Sequence, residues 1–160
     1  MSNFVNNVNY RKAFINLNCL LIIVLKTISS FEVINEVLQV ILNVFEAVED
    51  NDILSFLGSN IVECYCELLI NLKEPTLLCK VLLIVYILLF KGDPNEKLDC
   101  YYKGSDEKVT NIYKYLFDQK GLNDILINIS INNKHKSVSN IVKSIFEHYY
   151  IENVEKIISD

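Results

Sequence analysis

The chain has 160 residues, 51% of them hydrophobic, and a formal net charge of -5 at neutral pH. That length and apolar content suffice to bury a core in one domain or a short array, while four glycines and two prolines leave too little punctuation for an all-β protein. The acids are dispersed and form no block, which argues against nonspecific nucleic-acid binding and is compatible with basic protein partners.

Residues 1–18 are Asn-rich and polar, with Phe4, Val5 and Val8 marking a short helix. They read as a frayed or partial repeat and not as a targeting peptide. The pattern then predicts a helix over 19–28, a break at Ser29 and Ser30, and a long amphipathic helix over 31–48. Asp50, Asn51 and Asp52 supply a turn and an N-cap for a short helix ending near Gly58, a residue suited to a helix C-terminus. Helices over 61–72 and 74–91 follow. Pro75 fits the first turn of the latter, where its missing N–H costs nothing, and Gly92, Asp93, Pro94 and Asn95 end it. Residues 93–108 form one long polar loop. A short helix over 109–119 leads to Gly121, and a last long run opens at Lys134. In that run Val138, Ile141, Val142, Ile145, Phe146 and Tyr149 recur on one helical face, with Lys136, Lys143 and Glu147 opposite.

These elements repeat. An apolar stretch opening at Cys19 and a long run from Phe31 are answered by a pair opening at Cys66 and Glu74, a step of 43 residues between the long runs, and a third copy opens at Gly121 and Lys134. The step falls within the roughly 40–47 residues of armadillo and HEAT units, and repeats of that kind present extended surfaces to other proteins.

Cys19, Cys64, Cys66, Cys79 and Cys100 are odd in number and read as reduced thiols that pack as small hydrophobes. Zinc needs about four ligands, and His135 and His148 lie too far along the chain to complete a site with Cys64 and Cys66. The apolar run over 81–90 is closed by Lys80 and Lys91. It is too short to span a bilayer, which takes about 20 residues, and reads as a helix sandwiched between neighbours. No glycine-rich phosphate loop and no His–Cys or His–Ser motif is present, so neither catalysis nor a cofactor is expected.

Several stretches carry a family resemblance. FEVINEVLQVILN at 31–43, Leu57 and Gly58 followed by CELL at 66–69, the length of 74–92, GLNDI at 121–125 and IFEHYY at 145–150 resemble the C-terminal armadillo repeats of importin alpha (karyopherin alpha). The match runs over roughly residues 13–150, with small insertions near 60–65 and near 131–134 expected at helix junctions, where length changes cost least. The resemblance implies an all-α fold: a short armadillo-type right-handed α-α superhelix of about three repeats. It implies a single domain over 1–160, made of a partial repeat (1–48), a full repeat (49–92), the loop 93–108 and a C-terminal capping repeat (109–160).

By the same resemblance the chain is an importin-alpha-like nuclear import adaptor, a scaffold in nucleocytoplasmic protein transport found in cytoplasm and nucleus. The family's localisation-signal groove uses a Trp wall for lysine stems, an Asn to clamp the peptide backbone, and nearby acids. The matching positions here are Glu36, Gln39 and Asn43, so the acid and the clamp are kept and Gln39 replaces the aromatic wall; Leu83 and Ile87 follow in the next repeat. Lys136, Asn140, Lys143 and Glu147 form the surface expected to face the recycling exportin with Ran-GTP. Partners implied are signal-bearing cargo and that exportin, but not importin beta, whose basic binding segment has no counterpart. No nucleic acid, membrane or metal is implied, and self-association through an open N-terminal end is expected. The other reading of the residues is a generic helical-repeat or helical-bundle module that takes a partner helix in a groove.

Overall fold

The computed structural model describes residues 30–47, 59–92 and 111–150, together with Thr27. Thr27 is helical and lies within the helix expected over 19–28. The rest of that span, residues 1–18, the short helix ending near Gly58 and the loop 93–108 lie outside the described residues. Among the described residues every regular element is an α-helix: α1 Phe31–Ala47, α2 Ser59–Asn71, α3 Pro75–Lys91, α4 Ile112–Gln119, α5 Leu122–Asn132 and α6 Lys136–Tyr149.

In α1 the buried residues Ile34, Leu38, Ile41, Leu42 and Phe45 fall at steps of three, four and one, which collects them on one face of a 3.6-residue helix. Its first turn carries Glu32, whose carboxylate accepts a bond from Ser30 Oγ at 2.8 Å. That bond and its own backbone N–H hold the Glu32 carboxyl below its ordinary pKa. In α2 the buried set is Ile61, Val62, Cys64, Tyr65, Cys66 and Leu69. The junction expected near 60–65 therefore lies inside a helix, because Ile61, Val62 and Tyr65 continue the apolar face without a break.

Residues 72–74 join α2 to α3. Glu74 caps α3 by accepting from Leu77 N at 2.8 Å, and Pro75 occupies the first turn. Eight residues of α3 are buried: Leu77, Leu78, Val81, Leu82, Ile84, Val85, Leu88 and Leu89. Each large aliphatic side chain so enclosed contributes about 1.5–3 kcal/mol relative to exposure. The reason is position, since α3 packs against α1, α2, α4 and α6. The enclosure is incomplete: Leu83 is 39% and Phe90 61% exposed, so one stripe of an otherwise apolar helix stays open.

A polar clasp fixes where α3 stops and α4 starts. Buried Asn111 caps α4 by accepting from Lys114 N at 2.9 Å, and its Nδ2 donates to Leu89 O at 2.7 Å. Gly92 has an ordinary φ of -80. It serves here by lacking a side chain, because a Cβ would lie 2.8 Å from Asn111 Oδ1 and 2.8 Å from Tyr113 Cδ2. Gly121 is different. Its φ of 73 is left-handed, the conformation that lets the chain turn from α4 into α5.

α5 packs on α2, α4 and α6, while α2 also packs on α4. In α6, Val138, Val142, Ile145 and Phe146 are buried, with Ile141 and Tyr149 half-buried on the same face. The end of α6 is pinned to α4: Tyr150 Oη donates to Asp118 Oδ1 at 2.6 Å, Lys114 Nζ sits 4.7 Å from the Tyr150 ring centroid, and Lys114 pairs with Asp118 at 2.7 Å.

Candidate partner-binding face

Two contacts order the helices beside α3. On one flank, Lys80 Nζ donates to Asn35 O of α1 at 3.1 Å. On the other, the Tyr86 ring meets His148 and Tyr149 of α6 edge-on, with centroids 5.9 Å and 6.2 Å apart. Positions 80 and 86 lie on either side of Leu83 around the helix, so the open stripe Thr76, Leu83 and Phe90 runs between α1 and α6. Ile87, half-buried, borders the stripe on the α1 side.

On α1, Glu36, Gln39 and Asn43 are all exposed. Gln39 Nε2 donates to Asn43 Oδ1 at 2.9 Å, so the two amides are bonded to each other. Glu32 and Glu46 share this exposed side, and α1 contains no lysine or arginine. The α1 surface is therefore acidic, with a pair of amides at its centre.

On α6, Lys136, Asn140, Lys143 and Glu147 are exposed at three- and four-residue steps. Lys143 and Glu147 form an i,i+4 pair at 3.6 Å, and Asn140 O accepts from Ser144 Oγ at 3.1 Å. The two sets of sequence-derived site residues thus occupy α1 and α6, with α3 between these helices. His148 is exposed, and its Nδ1 donates to Ser144 O at 2.7 Å.

The open stripe of α3 is hidden in a segment that is apolar on every face, where the family resemblance alone singled out Leu83 and Ile87. Two features had no signal in the sequence: the Tyr86, His148 and Tyr149 cluster joins residues of two helices, and a cleft of about 630 Å³ lies between α2 and α5. Leu69, Leu72, Leu78, Ile125 and Ile129 give that cleft apolar walls, with Lys73, Asp124, Asn128 and Asn132 around them.

Three of the cysteines lie within the described residues, and Cys19 and Cys100 lie outside them. Cys64 and Cys66 are buried and Cys79 is half-buried. Burial pushes the Cys66 thiol up to about 11, so it stays protonated near neutral pH. Among the described residues no group of three or more His, Cys, Asp or Glu is placed to hold a metal ion, and no helix is long and apolar enough to cross a membrane. Comparison with known protein families, with curated proteins and with solved structures finds no match.

Proposed function

We propose that this chain is a protein-binding scaffold of stacked helical repeats, a short armadillo-type right-handed solenoid of importin-alpha-like kind, acting as an adaptor in nucleocytoplasmic protein transport. The observation that carries the reading is the side-by-side packing of α1, α3 and α6, each the long helix of its unit, with α2 and α5 in contact behind them. Lys80 and Asn35 meet early in α3 and α1, whereas Tyr86 and His148 meet late in α3 and α6, as helices that run the same way in successive repeats would. Such a layer offers a broad face to a partner at no cost to the core.

On this reading Glu36 and Asn43 contribute an acid and a backbone clamp to a peptide surface, and Gln39 makes it a poor site for lysine stems, because an amide has no ring face to hold them. The exposed set Lys136, Asn140, Lys143 and Glu147 is the side offered to a recycling exportin with Ran-GTP. The chain works in cytoplasm and nucleus, and copies associate through its open N-terminal end.

Small-angle scattering tests the architecture: a curved, elongated particle is expected, and a near-sphere overturns it. Capture of the chain by exportin with Ran-GTP, weakened in Lys143→Glu, tests the transport reading. A folded wild-type chain that is never captured defeats that part.

A further inference from the structure

The open stripe of α3 is out of keeping with a site for a purely basic peptide. Leu83 and Phe90 are 39% and 61% exposed, and Ile87 lies beside them. Their i, i+4, i+7 spacing makes one apolar ridge about 10 Å long, flanked on the α1 side by a helix that bears Glu32, Glu36 and Glu46 and no lysine or arginine of its own; Lys80 of α3 lies at that margin with its Nζ engaged by Asn35 O, so acids outnumber cations there. Across the ridge, the α6 side presents Tyr86 and His148 with neutral Ser144. The face carries an excess of acids on one margin, is apolar in the middle, and has aromatic and hydroxyl groups beside His148 on the other.

We propose that this face receives an amphipathic helix of a partner protein, whose apolar stripe seats on Leu83, Ile87 and Phe90 and whose lysines or arginines line the flank that faces α1. The inference rests on the scaffold reading above and specifies its partner. A helix presents large apolar groups at the same i, i+4, i+7 spacing, so its stripe and the α3 ridge are commensurate along their length. Charge sets the orientation. With cations toward α1 the complex gains Coulomb energy on one margin, and with them reversed it meets none on the α6 side. A partner helix with acids on the same flank is repelled by Glu36 and its neighbours.

Fluorescence anisotropy on the full chain tests this with three labelled peptides: a helix-forming peptide with Leu and Phe in one stripe and Lys on one flank, the same peptide with Glu in place of Lys, and a lysine-rich extended peptide without large apolar residues. The first is expected to bind, and the other two to bind at least about tenfold more weakly. Leu83→Glu and Phe90→Glu alter exposed side chains, keep the helical circular dichroism, and raise the Kd of the first peptide by about tenfold or more. Glu36→Lys raises it by several-fold, an effect that shrinks with added salt. Equal or tighter binding of the lysine-rich peptide overturns the proposal, as does binding unchanged by both α3 substitutions. A concentration-dependent increase in mass abolished by Leu83→Glu also overturns it, since the ridge would then be covered by a second copy. Failure of all three peptides on a folded chain defeats this inference alone, because scattering and exportin capture judge the scaffold independently.

Discussion

Asn111→Ala should open the clasp between α3 and α4. Asn111 is 7% exposed and makes two bonds at once, accepting from Lys114 N and donating to Leu89 O. Loss of the N-cap costs about 1 kcal/mol. The Leu89 carbonyl belongs to the last turn of α3, where carbonyls lack partners from the helix itself, and Leu89 is wholly buried. Removing its donor costs a further 1–3 kcal/mol, roughly, so the total is about 2–4 kcal/mol. In a chain of this size that corresponds to a fall in Tm of roughly 5–15 °C. Asn111→Ser restores the capping oxygen without the amide donor and should recover about 1 kcal/mol of the loss. Urea unfolding followed by circular dichroism, with the slope unchanged between variants, gives the differences. An Ala variant within about 0.5 kcal/mol of wild type, or a Ser variant as damaged as Ala, refutes the clasp.

Phe146 is 1% exposed and packs edge-on to Tyr150 at 5.9 Å; Phe146→Ala is expected to cost about 3–5 kcal/mol in the same assay. Lys143→Glu, which breaks an exposed pair, should cost under about 1 kcal/mol of stability while weakening exportin capture; equal losses of stability in the two variants would contradict the assignment of core and surface. A lysine-rich localisation peptide should bind weakly, and Gln39→Trp should strengthen it by supplying a ring face; unchanged affinity in Gln39→Trp removes α1 from the groove. Cys66 is raised from 9.0 to about 11 by burial, so the folded state holds its proton more tightly than the unfolded state. Stability is then fully present below about pH 9 and falls as the pH rises toward 11. Burial raises Tyr65, Tyr113 and Tyr150 in the same sense. Thermal melts across that window check the sign, and a Tm that climbs with pH contradicts it.

Most of the helical elements were legible in the sequence because apolar periodicity is a local signal. The face of α6 is a case in point: Val138, Val142, Ile145 and Phe146 could be assigned from spacing, and they are the residues buried. Pro75 likewise marked the start of α3 through chemistry within one turn, whereas the capping bond of Glu74 emerged with the structure. The exposure of Glu36, Gln39, Asn43, Lys136, Asn140, Lys143 and Glu147 also follows from helical phase once each apolar face is known.

Tertiary structure decided what distance along the chain conceals. Asn111, expected inside a short helix over 109–119, instead caps one, and its amide finds its acceptor only when Leu89, 22 residues away, is brought to it; Tyr150 gains meaning only against Asp118, 32 residues earlier. Gly92 looked like a conformational stop, yet its reason is a neighbour's side chain. The ridge on α3 is the sharpest instance. A segment that is apolar all round carries no phase, so only the arrival of α1 and α6 on its flanks selects which of its side chains are left to water.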